Sequence, residues 1–502
     1  MSESTMQKIV SLAKRRGFIF QSSEIYGGLR ACYDYGPLGV ELKRNLKDAW
    51  WRDIVHRRDD VVGLDCSIIM HPDVWKASGH LAGFSDPLVD CRNCKERFRA
   101  DKAPRAEPGS AITYREGGRK DGKKLSGTAS DRGYVCPVCG SADLSPERQF
   151  NLMFRTSLGP VDPMQEILDR LDNLAGMGAS ERRESLFSII SASAVYLRPE
   201  TAQGMFVNFL NVLNSARQSP PFGIAQCGKS YRNEITTSNL TFRTCEFEQM
   251  ELEFFVPPGE DEKWYEYWRQ TRLAWYTSLG MRPDRLRLRD HEKSELAHYA
   301  KACADIEYFF PFENPQGEGE WGELEGIANR TDYDLRRHAE ATGRELSYFD
   351  PEKKTHYVPF VVEPAAGADR ATLAFLCDAY AEETVDAAKN DVRTVLRFHP
   401  RLAPIKVAVF PLVKKDGMPE KARAILAELL DDGVNSFYDA SGAIGRRYRR
   451  MDEVGTPWCV TVDTDTLSDG TVTVRERDSM RQERIPSAGI ADYFRKRLKE
   501  SV

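Results

Sequence analysis

The sequence contains no run of the roughly 18 to 20 consecutive apolar residues that a membrane-spanning helix requires. Its first segment, MSESTMQKIVSLAKRRGF, is polar and lacks the apolar core of a secretory signal peptide. Basic residues are not in excess, because 71 lysines and arginines stand against 76 aspartates and glutamates, for a formal net charge of −5. These absences argue against a membrane protein, a secreted protein and a globally basic nucleic-acid binder. The net charge says nothing about local basic patches.

The composition that is present is that of an ordinary soluble protein, with 41% hydrophobic and 29% charged residues. Eleven cysteines occur, and several of them lie in apolar runs, as Cys377 does after Leu376. Such placement favours a reducing compartment over a disulfide framework. We therefore expect a cytoplasmic protein.

A chain of 502 residues is long enough for two to four domains. The composition from Cys91 to about Leu144 is polar, glycine-rich and basic, which is typical of an inserted module. After the linker Arg401–Pro404, strand, helix, short strands and a basic helix follow, which predicts a separate α/β domain. We predict an α+β protein with a first domain over 1–400 and a second over 401–502. The first would carry a zinc-ribbon-like insertion at 88–148 and a partly helical insertion at 262–350.

The most specific pattern in the residues themselves is a pair of Cys-x-x-Cys turns, Cys91/Cys94 and Cys136/Cys139. Four thiolates from two such turns match the tetrahedral geometry of structural zinc. The turns are farther apart than in compact zinc sites, but the polar loop Glu107–Gly133 can absorb the extra length. We predict a structural Zn²⁺ site; the alternative is four unligated thiols in an insertion.

The stretch Lys229–Phe255, KSYRNEITTSNLTFRTCEFEQMELEFF, predicts a β-hairpin with a polar turn at Thr236–Leu240 and a first strand that ends near Arg232. Guanidinium groups suit phosphate oxygens, an aromatic ring suits a base, and a carboxylate suits an ammonium group. The alternative is an exposed sheet with surface ion pairs, each worth only about 0–1 kcal/mol. Because side chains alternate along a strand, one face of the second strand should carry Arg243, Cys245, Phe247, Gln249 and Glu251.

Three motifs resemble those of the class II aminoacyl-tRNA synthetases. Tyr231–Glu234 (YRNE), followed by Arg243–Phe247 (RTCEF), resembles motif 2, and Gly367–Arg370 (GADR) resembles motif 3. The predicted helix that leads into Leu64–Pro72 resembles motif 1, the dimer element. The resemblance implies an antiparallel-sheet catalytic domain, a homodimer and, for class IIa, a C-terminal anticodon-binding domain.

Longer blocks resemble one family of this class, the homodimeric glycyl-tRNA synthetases, and the similarity covers nearly the whole chain. These blocks are YDYGPLGVELKRNL (Tyr33–Leu46), LRPETAQGMFVNF (Leu197–Phe209), GELEGIANRTDYDL (Gly322–Leu335) and EPAAGADR (Glu363–Arg370). The resemblance implies that glycine and ATP form glycyl-adenylate with release of pyrophosphate. Glycine would then pass to the terminal ribose of tRNA(Gly).

The resemblance implies three catalytic arginines. Arg232 would hold the α-phosphate and neutralise the charge that builds during attack by the amino-acid carboxylate. Phe247 and Arg370 would stack on opposite faces of the adenine, and Arg243 and Arg370 would reach the γ-phosphate. The implied ATP site as a whole comprises Arg232, Asn233, Glu234, Phe242, Arg243, Phe247, Glu323, Leu324, Gly367, Asp369 and Arg370.

Two carboxylates have separate implied roles. Glu234 would contact the adenine or the tRNA end. Glu323 would be the Mg²⁺ ligand, because Mg²⁺ bound with ATP prefers one or two protein carboxylates plus phosphate oxygens. Catalysis would then rest on placement and electrostatics, without a covalent enzyme intermediate.

Glycine has no side chain, so its affinity must come from its ammonium and carboxylate groups. The resemblance assigns Glu200, Glu251 and Glu363 to the ammonium, where charge-assisted hydrogen bonds are strong. Missing methylenes are worth only about 1–3 kcal/mol, so selectivity would work by excluding larger side chains, which fits the lack of a recognisable editing module. The implied glycine site comprises Arg99, Glu200, Phe247, Gln249, Glu251, Glu363, Ala365 and Gly367.

Two positions depart from the common family pattern. Ala365 stands in EPAAG where EPSAG is commoner, and it removes a hydroxyl that could touch the substrate. Cys245 stands where arginine is expected in FRTREFEQ, which removes a charge. Two alternatives stay open: a class IIa synthetase for threonine, proline, serine or histidine, and a synthetase-like regulatory or RNA-binding protein without catalysis. The retained Arg232, Arg243 and Arg370 argue against the second.

Several weaker signals complete the sequence. Basic residues from Arg92 to Lys102 could reach tRNA acceptor phosphates, and Arg446, Arg447, Arg449 and Arg450 are candidate tRNA contacts or a solvated face. Gly317–Gly322 matches GxGxxG but follows no clear strand and carries two glutamates, so a dinucleotide site is not expected. His291 and His298 are placed on a helical, charged segment in surface or packing roles.

Overall fold

The computed structural model describes residues 3–119, 121–235, 239–297, 300–314, 317–389 and 391–500, and the statements below concern these ranges. No helix within them is both long enough and apolar enough to cross a bilayer.

The helices of the described ranges follow the chain as short and medium-length elements. They are α1 (Thr5–Arg16), α2 (Pro37–Trp51), α3 (Pro72–Ala77), α4 (His80–Gly83), α5 (Pro163–Asp169), α6 (Leu171–Gly176), α7 (Ala179–Ala192), α8 (Ala202–Val207), α9 (Phe209–Ser215), α10 (Asp261–Ser278), α11 (Tyr333–Thr342), α12 (Ala368–Ala379), α13 (Met418–Asp431), α14 (Ile444–Val454), α15 (Thr464–Asp469) and α16 (Ile490–Glu500).

The strands alternate with these helices. They are β1 (Ile19–Gln21), β2 (Tyr33–Tyr35), β3 (Val61–Gly63), β4 (Ile69–Met70), β5 (Ser85–Asp90), β6 (Arg97–Arg99), β7 (Ala111–Arg115), β8 (Lys124–Thr128), β9 (Arg148–Asn151), β10 (Arg155–Ser157), β11 (Ala194–Leu197), β12 (Phe222–Tyr231), β13 (Glu246–Val256), β14 (Leu286–Asp290), β15 (Ala302–Asn314), β16 (Gly317–Thr331), β17 (Tyr348–Asp350), β18 (Thr355–Tyr357), β19 (Phe360–Gly367), β20 (Tyr380–Asp386), β21 (Asp391–Leu396), β22 (Val407–Pro411), β23 (Ser436–Tyr438), β24 (Trp458–Val462), β25 (Thr471–Glu476) and β26 (Gln482–Pro486).

The centre of the molecule is a seven-stranded sheet in the order β14-β15-β16-β19-β13-β12-β3. Every neighbouring pair is antiparallel except β12 and β3, which run parallel. This confirms the predicted antiparallel-sheet class, and the predicted hairpin is the pair β12–β13.

Strand β13 shows how one sequence serves both a core and a polar site. Met250 and Leu252 are fully buried in the main hydrophobic core. Because side chains alternate along a strand, Gln249 and Glu251 face the opposite side of the sheet, where they line a cavity. Helix α12 begins directly after the end of β19 and packs against β13 and α2.

The stretch 262–350 differs from the expected partly helical insertion. It contains α10 and α11, but β14, β15 and β16 belong to the central sheet. Apolar residues such as Ile306 and Tyr308 are buried in the main core, whereas the alternating Asp305 and Glu307 face the other side. The acidic residues of these strands obscured the strand pattern in the sequence. The GxGxxG match lies in β16, so it does not open a helix as a dinucleotide site would.

The cysteine-bearing region 88–148 has a small core of its own. The region contains the hairpin β7–β8 and β6. Strands β5 and β9, which pair with β6 and each other in the sheet β6-β5-β9, lie at the ends of the region and extend beyond it. Cys91, Cys136 and Cys139 are buried there beside Val89 and Phe98.

The C-terminal part forms a second sheet in the order β23-β22-β24-β25-β26. Strand β22 runs parallel to β23 and β24, and β25 and β26 continue antiparallel. Val407, Ile425 and Val460 belong to a separate core cluster that includes residues of α13 and α16. This confirms the predicted C-terminal α/β unit.

Candidate active site

A cavity of about 340 Å³ lies over the central strands β13, β16 and β19. Its lining brings together most of the residues that the sequence predicted for the ATP and glycine sites. These are Glu200, Arg232, Glu234, Phe242, Arg243, Phe247, Gln249, Glu251, Glu323, Glu363, Ala365, Gly367, Asp369 and Arg370.

Arg232 follows the last residue of β12 and is held by its neighbours in a fixed orientation. Its Nε donates to the Pro199 carbonyl oxygen at 2.9 Å. Its guanidinium carbon lies 5.2 Å from the centre of the Phe247 ring. Arg232 lines the cavity, and a guanidinium there is suited to donate hydrogen bonds to an anion.

Arg370, in the first turn of α12, stacks on Phe242 with 4.8 Å between guanidinium carbon and ring centre. Its Nη1 lies 3.0 Å from Glu323 Oε2. The charge of Arg370 lowers the pKa of Glu323 from its ordinary value, which keeps this carboxylate ionised. The expected placement of adenine between Phe247 and Arg370 stays a prediction.

Arg243 approaches Glu234, with 3.6 Å between Nη1 and Oε2. The Arg243 side chain is 31% exposed. We call Arg232, Arg243, Phe247, Glu323 and Arg370 the mouth of the cavity.

Asp369 lines the cavity but is already occupied by structural partners. Its Oδ1 accepts from the Tyr35 hydroxyl and from Lys43 Nζ, both at 2.7 Å. Its Oδ2 accepts from the Glu248 backbone N–H at 2.6 Å. The side chain therefore ties α2 and β13 to the start of α12.

At the other end of the cavity, Glu200, Glu251 and Glu363 line the wall, and Glu253 adjoins them. These four groups are here called the carboxyl cluster; Glu251, Glu253 and Glu363 are buried, and the Glu200 side chain is 12% exposed. Glu251 accepts from the Thr201 hydroxyl and, at 3.3 Å, from Gln249 Nε2. Burial and the charges of neighbouring Glu363 and Glu200 raise the pKa of Glu251 well above its ordinary value.

Glu253 lies beside these groups, and oxygens of Glu251, Glu253 and Glu363 all fall within 4.8 Å of one another. It is fully buried, and neither of its carboxyl oxygens has a hydrogen-bond partner among the described residues. Burial and the charge of Glu363 raise its pKa well above the usual range. An ionised carboxylate without a partner is very costly in such a place, which favours the neutral form of Glu253.

Arg330 is a buried cation beside this cluster. It donates through Nη1 to Glu363 at 2.7 Å, and through Nε and Nη2 to the two oxygens of Asp334 at 2.8 and 2.9 Å. Burial raises the pKa of Glu363 from its ordinary value, although Arg330 acts in the opposite direction. One buried guanidinium thus pairs with two carboxyl groups, Glu363 of the cluster and Asp334 outside it.

Glu200 differs from its neighbours. Its Oε2 lies 3.3 Å from His80 Nε2, and its Oε1 accepts from Gln203 Nε2 at 3.0 Å. Burial alone would raise its pKa, but His80, Arg330 and Gln203 together hold it well below the ordinary value. These contacts favour the ionised form of Glu200.

Three predicted site residues and one predicted departure do not line the cavity. Arg99, the last residue of β6, pairs with Asp86 and Asp101. The side chain of Leu324 is buried in the main core. Asn233 and Cys245 lie beside the hairpin, outside the described lining. Cys245 is thus not among the lining residues, and because β13 begins only at Glu246, strand alternation does not determine where its side chain points.

Sequence reasoning missed His291, Cys303 and Asp305, which line the cavity. His291 lies after the end of β14 and not on a helix, and its Nε2 is 2.8 Å from Asp305 Oδ2. The usable signal was the alternation of Cys303, Asp305 and Glu307 with buried apolar residues. His298 lies outside the described residues.

The four cysteines converge as predicted. Cys91 Sγ is 3.5 Å from Cys139 Sγ, and Cys94 Sγ is 3.6 Å from Cys136 Sγ. All four sulfurs lie within 4.8 Å of one another. With Zn–S bonds of about 2.3 Å, a tetrahedral site needs sulfurs roughly 3.8 Å apart, so the donor set fits structural zinc.

The basic run on α14 is largely structural. Arg447 is buried and donates to backbone carbonyls, among them that of Pro411. Arg449 pairs with Asp391 at 2.7 Å, and Arg450 with Asp439. These contacts reduce the charge that the run can offer to a nucleic acid.

The chain matches two family models, one described as the tRNA synthetase class II core domain (G, H, P, S and T) over residues 187–442 and the other as the anticodon binding domain over residues 406–497. A prolyl-tRNA synthetase structure from Cryptosporidium parvum, in complex with L-proline and AMP, has a TM-score of 0.58 at 13% identity. It covers 99% of this chain and 78% of that one. This likeness concerns the fold alone; together with the core model it defines a class II tRNA synthetase.

Two curated relatives match nearly the full length of the chain. A glycine–tRNA ligase from Ruminiclostridium cellulolyticum is 51% identical over 494 residues, 98% of each chain. One from Streptomyces coelicolor is 52% identical over 504 residues, 99% of each chain. The chain belongs to the glycine–tRNA ligase family.

Proposed function

We propose that this protein is a glycine–tRNA ligase that activates glycine with ATP and transfers it to tRNA(Gly). The observation that carries the proposal is one cavity with arginines at its mouth and a buried carboxyl cluster at its other end. The first surface suits a triphosphate, and the second suits a small ammonium. Family membership at about 50% identity over the full chain supports the same activity.

In the activation step, the glycine carboxylate attacks the α-phosphorus of ATP and pyrophosphate leaves. Arg232 neutralises charge on the α-phosphate, since it is held by Pro199 and by Phe247 before substrate arrives. Arg243 and Arg370 hold the γ-phosphate and keep the leaving group bent back. Phe247 and Arg370 stack on the adenine.

Glu323 would hold Mg²⁺, because it is an ionised, half-exposed carboxylate at the mouth. The ion would supply charge neutralisation on the phosphates. The protein's own part is to place Glu323 beside Arg370, so that ATP and its ion can replace an existing ion pair.

Glycine selection rests on the carboxyl cluster. Glu251 and Glu363 accept from the ammonium, and the ionised Glu200 adds a longer-range attraction. The neighbouring strand positions Gly326, Ala328 and Ala365 are small and line the same cavity.

Four further features belong to the proposal. The four cysteines hold a structural Zn²⁺ that stabilises the module at 88–148. The chain acts as a cytoplasmic homodimer, which rests on the resemblance of the motif 1 region. The catalytic domain spans 1–400. The anticodon-binding domain spans 401–502, and its matched model supports recognition of tRNA.

The deciding experiment is amino-acid-dependent ATP–pyrophosphate exchange, measured without tRNA for each of the standard amino acids. We expect exchange with glycine alone. Exchange with another amino acid would keep the class and discard the proposed role of the carboxyl cluster. If no amino acid supports exchange, a charging assay with tRNA(Gly) separates tRNA-dependent activation from a protein without catalysis.

A further inference from the structure

A second group of metal-ligand side chains lines the cavity apart from the cysteine module. It consists of His291, Cys303 and Asp305, whose ligand atoms all lie within 4.8 Å of one another. The site is sheltered, since the side chains of His291 and Asp305 are 19% and 9% exposed. None of the three has a role in the activation step described above.

The strands fix two of these ligands. Cys303 and Asp305 are two residues apart on β15, so both face the cavity. The His291 backbone N–H donates to the Cys303 carbonyl oxygen at 2.9 Å, which anchors the loop that carries the imidazole. The position of His291 is therefore tied to β15 by a backbone hydrogen bond.

The surroundings favour a cation. Cys303 lies within the electrostatic influence of Asp305, Glu363 and Glu323. One charge opposes this, because Arg289 Nη2 lies 3.4 Å from Asp305 Oδ2. That arginine is 35% exposed and also pairs with Glu295 and Glu307, so it has other partners if a metal takes Asp305.

An imidazole nitrogen, a thiolate and a carboxylate oxygen are the donor types of catalytic zinc sites, which use three protein ligands and leave a fourth position open. A thiolate selects thiophilic metals, whereas Mg²⁺ prefers oxygen ligands alone. In a tetrahedral zinc site such ligand atoms lie roughly 3.3–3.5 Å apart. A pair at the 4.8 Å limit must therefore contract by about 1.5 Å at most, and the His291–Asp305 pair, now 2.8 Å apart, must lengthen by about 0.5 Å. We propose that His291, Cys303 and Asp305 form a binding site for Zn²⁺ with its open position facing the cavity.

Zn²⁺ bound at this site would inhibit the activation of glycine, an inference that rests on the proposed function. Asp305 pairs with Gly326, Gly326 with Ala365, and Ala365 with Glu251, so one row across the sheet joins the metal site to the carboxyl cluster. No large side chain of that row separates them. A bound Zn²⁺ would capture a phosphate oxygen at its open position, hold ATP out of line with glycine, and thereby inhibit adenylate formation.

The first test measures zinc content in the full-length protein, purified with a non-thiol reductant and equilibrated with Zn²⁺. We expect Cys303→Ser and His291→Gln each to bind one zinc fewer than the parent. Cys227→Ser, which removes another half-buried thiol outside the cavity, should bind as many as the parent. In cobalt-substituted protein, Cys303→Ser should lose part of the thiolate-to-cobalt charge-transfer absorption. Equal zinc content in the parent and Cys303→Ser would overturn the site, whether or not the protein is active.

The second test measures inhibition of glycine-dependent pyrophosphate exchange by Zn²⁺ at saturating Mg²⁺, normalised to the metal-free rate of each variant. Cys303→Ser should raise the inhibitory zinc concentration by at least about tenfold, since even outer-shell partners are worth about 10- to 100-fold in metal affinity. Cys227→Ser should be inhibited like the parent. Uninhibited exchange in the parent, with the extra zinc bound, would overturn the inhibitory role. An absence of exchange in every metal-free protein would instead contradict the proposed function and leave the metal measurement standing.

Discussion

At the mouth of the cavity, Arg243 and Arg370 are partly exposed and paired with single carboxylates. At the other end, the carboxyl groups of Glu251, Glu253 and Glu363 are buried around one guanidinium. The mouth keeps its charges in water, where each pair contributes little to stability. The carboxyl cluster keeps its groups out of water, where an unpaired charge is costly.

This difference shows how each end is matched to its ligand. A triphosphate arrives with many charges and can replace the weak pairs of the mouth. A glycine ammonium brings a single charge, so its site must concentrate attraction by burying several carboxyl groups together. Substitutions at the buried end should therefore disturb both stability and glycine binding, whereas those at the mouth should disturb catalysis alone.

The largest effect is expected from Arg330→Met, which removes the buried cation facing Glu363 and Asp334. Breaking a buried ion pair by removing one partner costs about 3–5 kcal/mol. The matched control is Arg336→Met on α11, the helix that follows β16, because Arg336 is 61% exposed and pairs with Asp332. Removal of that surface pair should cost no more than about 1 kcal/mol. Denaturant unfolding of the two variants checks the prediction, and similar small losses would refute the claimed contrast in burial.

At the mouth, Arg232→Met should leave the unfolding transition unchanged and lower the rate of glycine-dependent pyrophosphate exchange by about 10²–10³-fold. The reason is loss of a pre-oriented guanidinium at the α-phosphate. Arg183→Met, at an exposed position of α7, provides the control and should exchange at the parent rate. Near-normal exchange by Arg232→Met would exclude the α-phosphate role.

The ligand preference of the two ends can be tested with Glu251→Gln. It should raise the KM for glycine by about 10- to 100-fold, because a hydrogen bond to a charged group is worth about 1.5–3 kcal/mol. The KM for ATP should change little. Glu246→Gln, at the exposed start of the same strand, should leave both values as in the parent. Equal losses for glycine and ATP in Glu251→Gln would contradict an ammonium role.

The sequence predicted the mouth better than the buried end, and the reason is physical. Arg232 and Phe247 lie in one hairpin, where strand alternation is enough to bring them together. Arg330 and Gln203 act on the cluster through contacts between distant segments; Gln203 and Asp334, for example, are 131 residues apart. Such pairing depends on the register of the whole sheet, which no local pattern contains. The same limit hid His291, because the stretch 262–350 looked like an insertion while three of its strands complete the central sheet.

The smallest predicted effect concerns pH and separates the two ends by titration. Glu251 and Glu253 have pKa values raised above the ordinary 4.5, so the folded protein without glycine holds protons that the unfolded chain has lost. Their contribution to stability is complete below the ordinary pKa and declines as pH rises toward the folded pKa values. A bound ammonium replaces these protons, so the increase in melting temperature that glycine produces should grow with pH. The free-energy gain is at most about 1.4 kcal/mol per pH unit for each proton displaced.

Glu253→Gln removes one titrating acid and keeps a neutral side chain, so it should make the free protein less sensitive to alkaline pH. ATP, which binds at the mouth, should stabilise the protein without this dependence on Glu253. A glycine-induced shift that stays constant with pH would mean that the cluster is already ionised, and that its charges are balanced by cations other than Arg330.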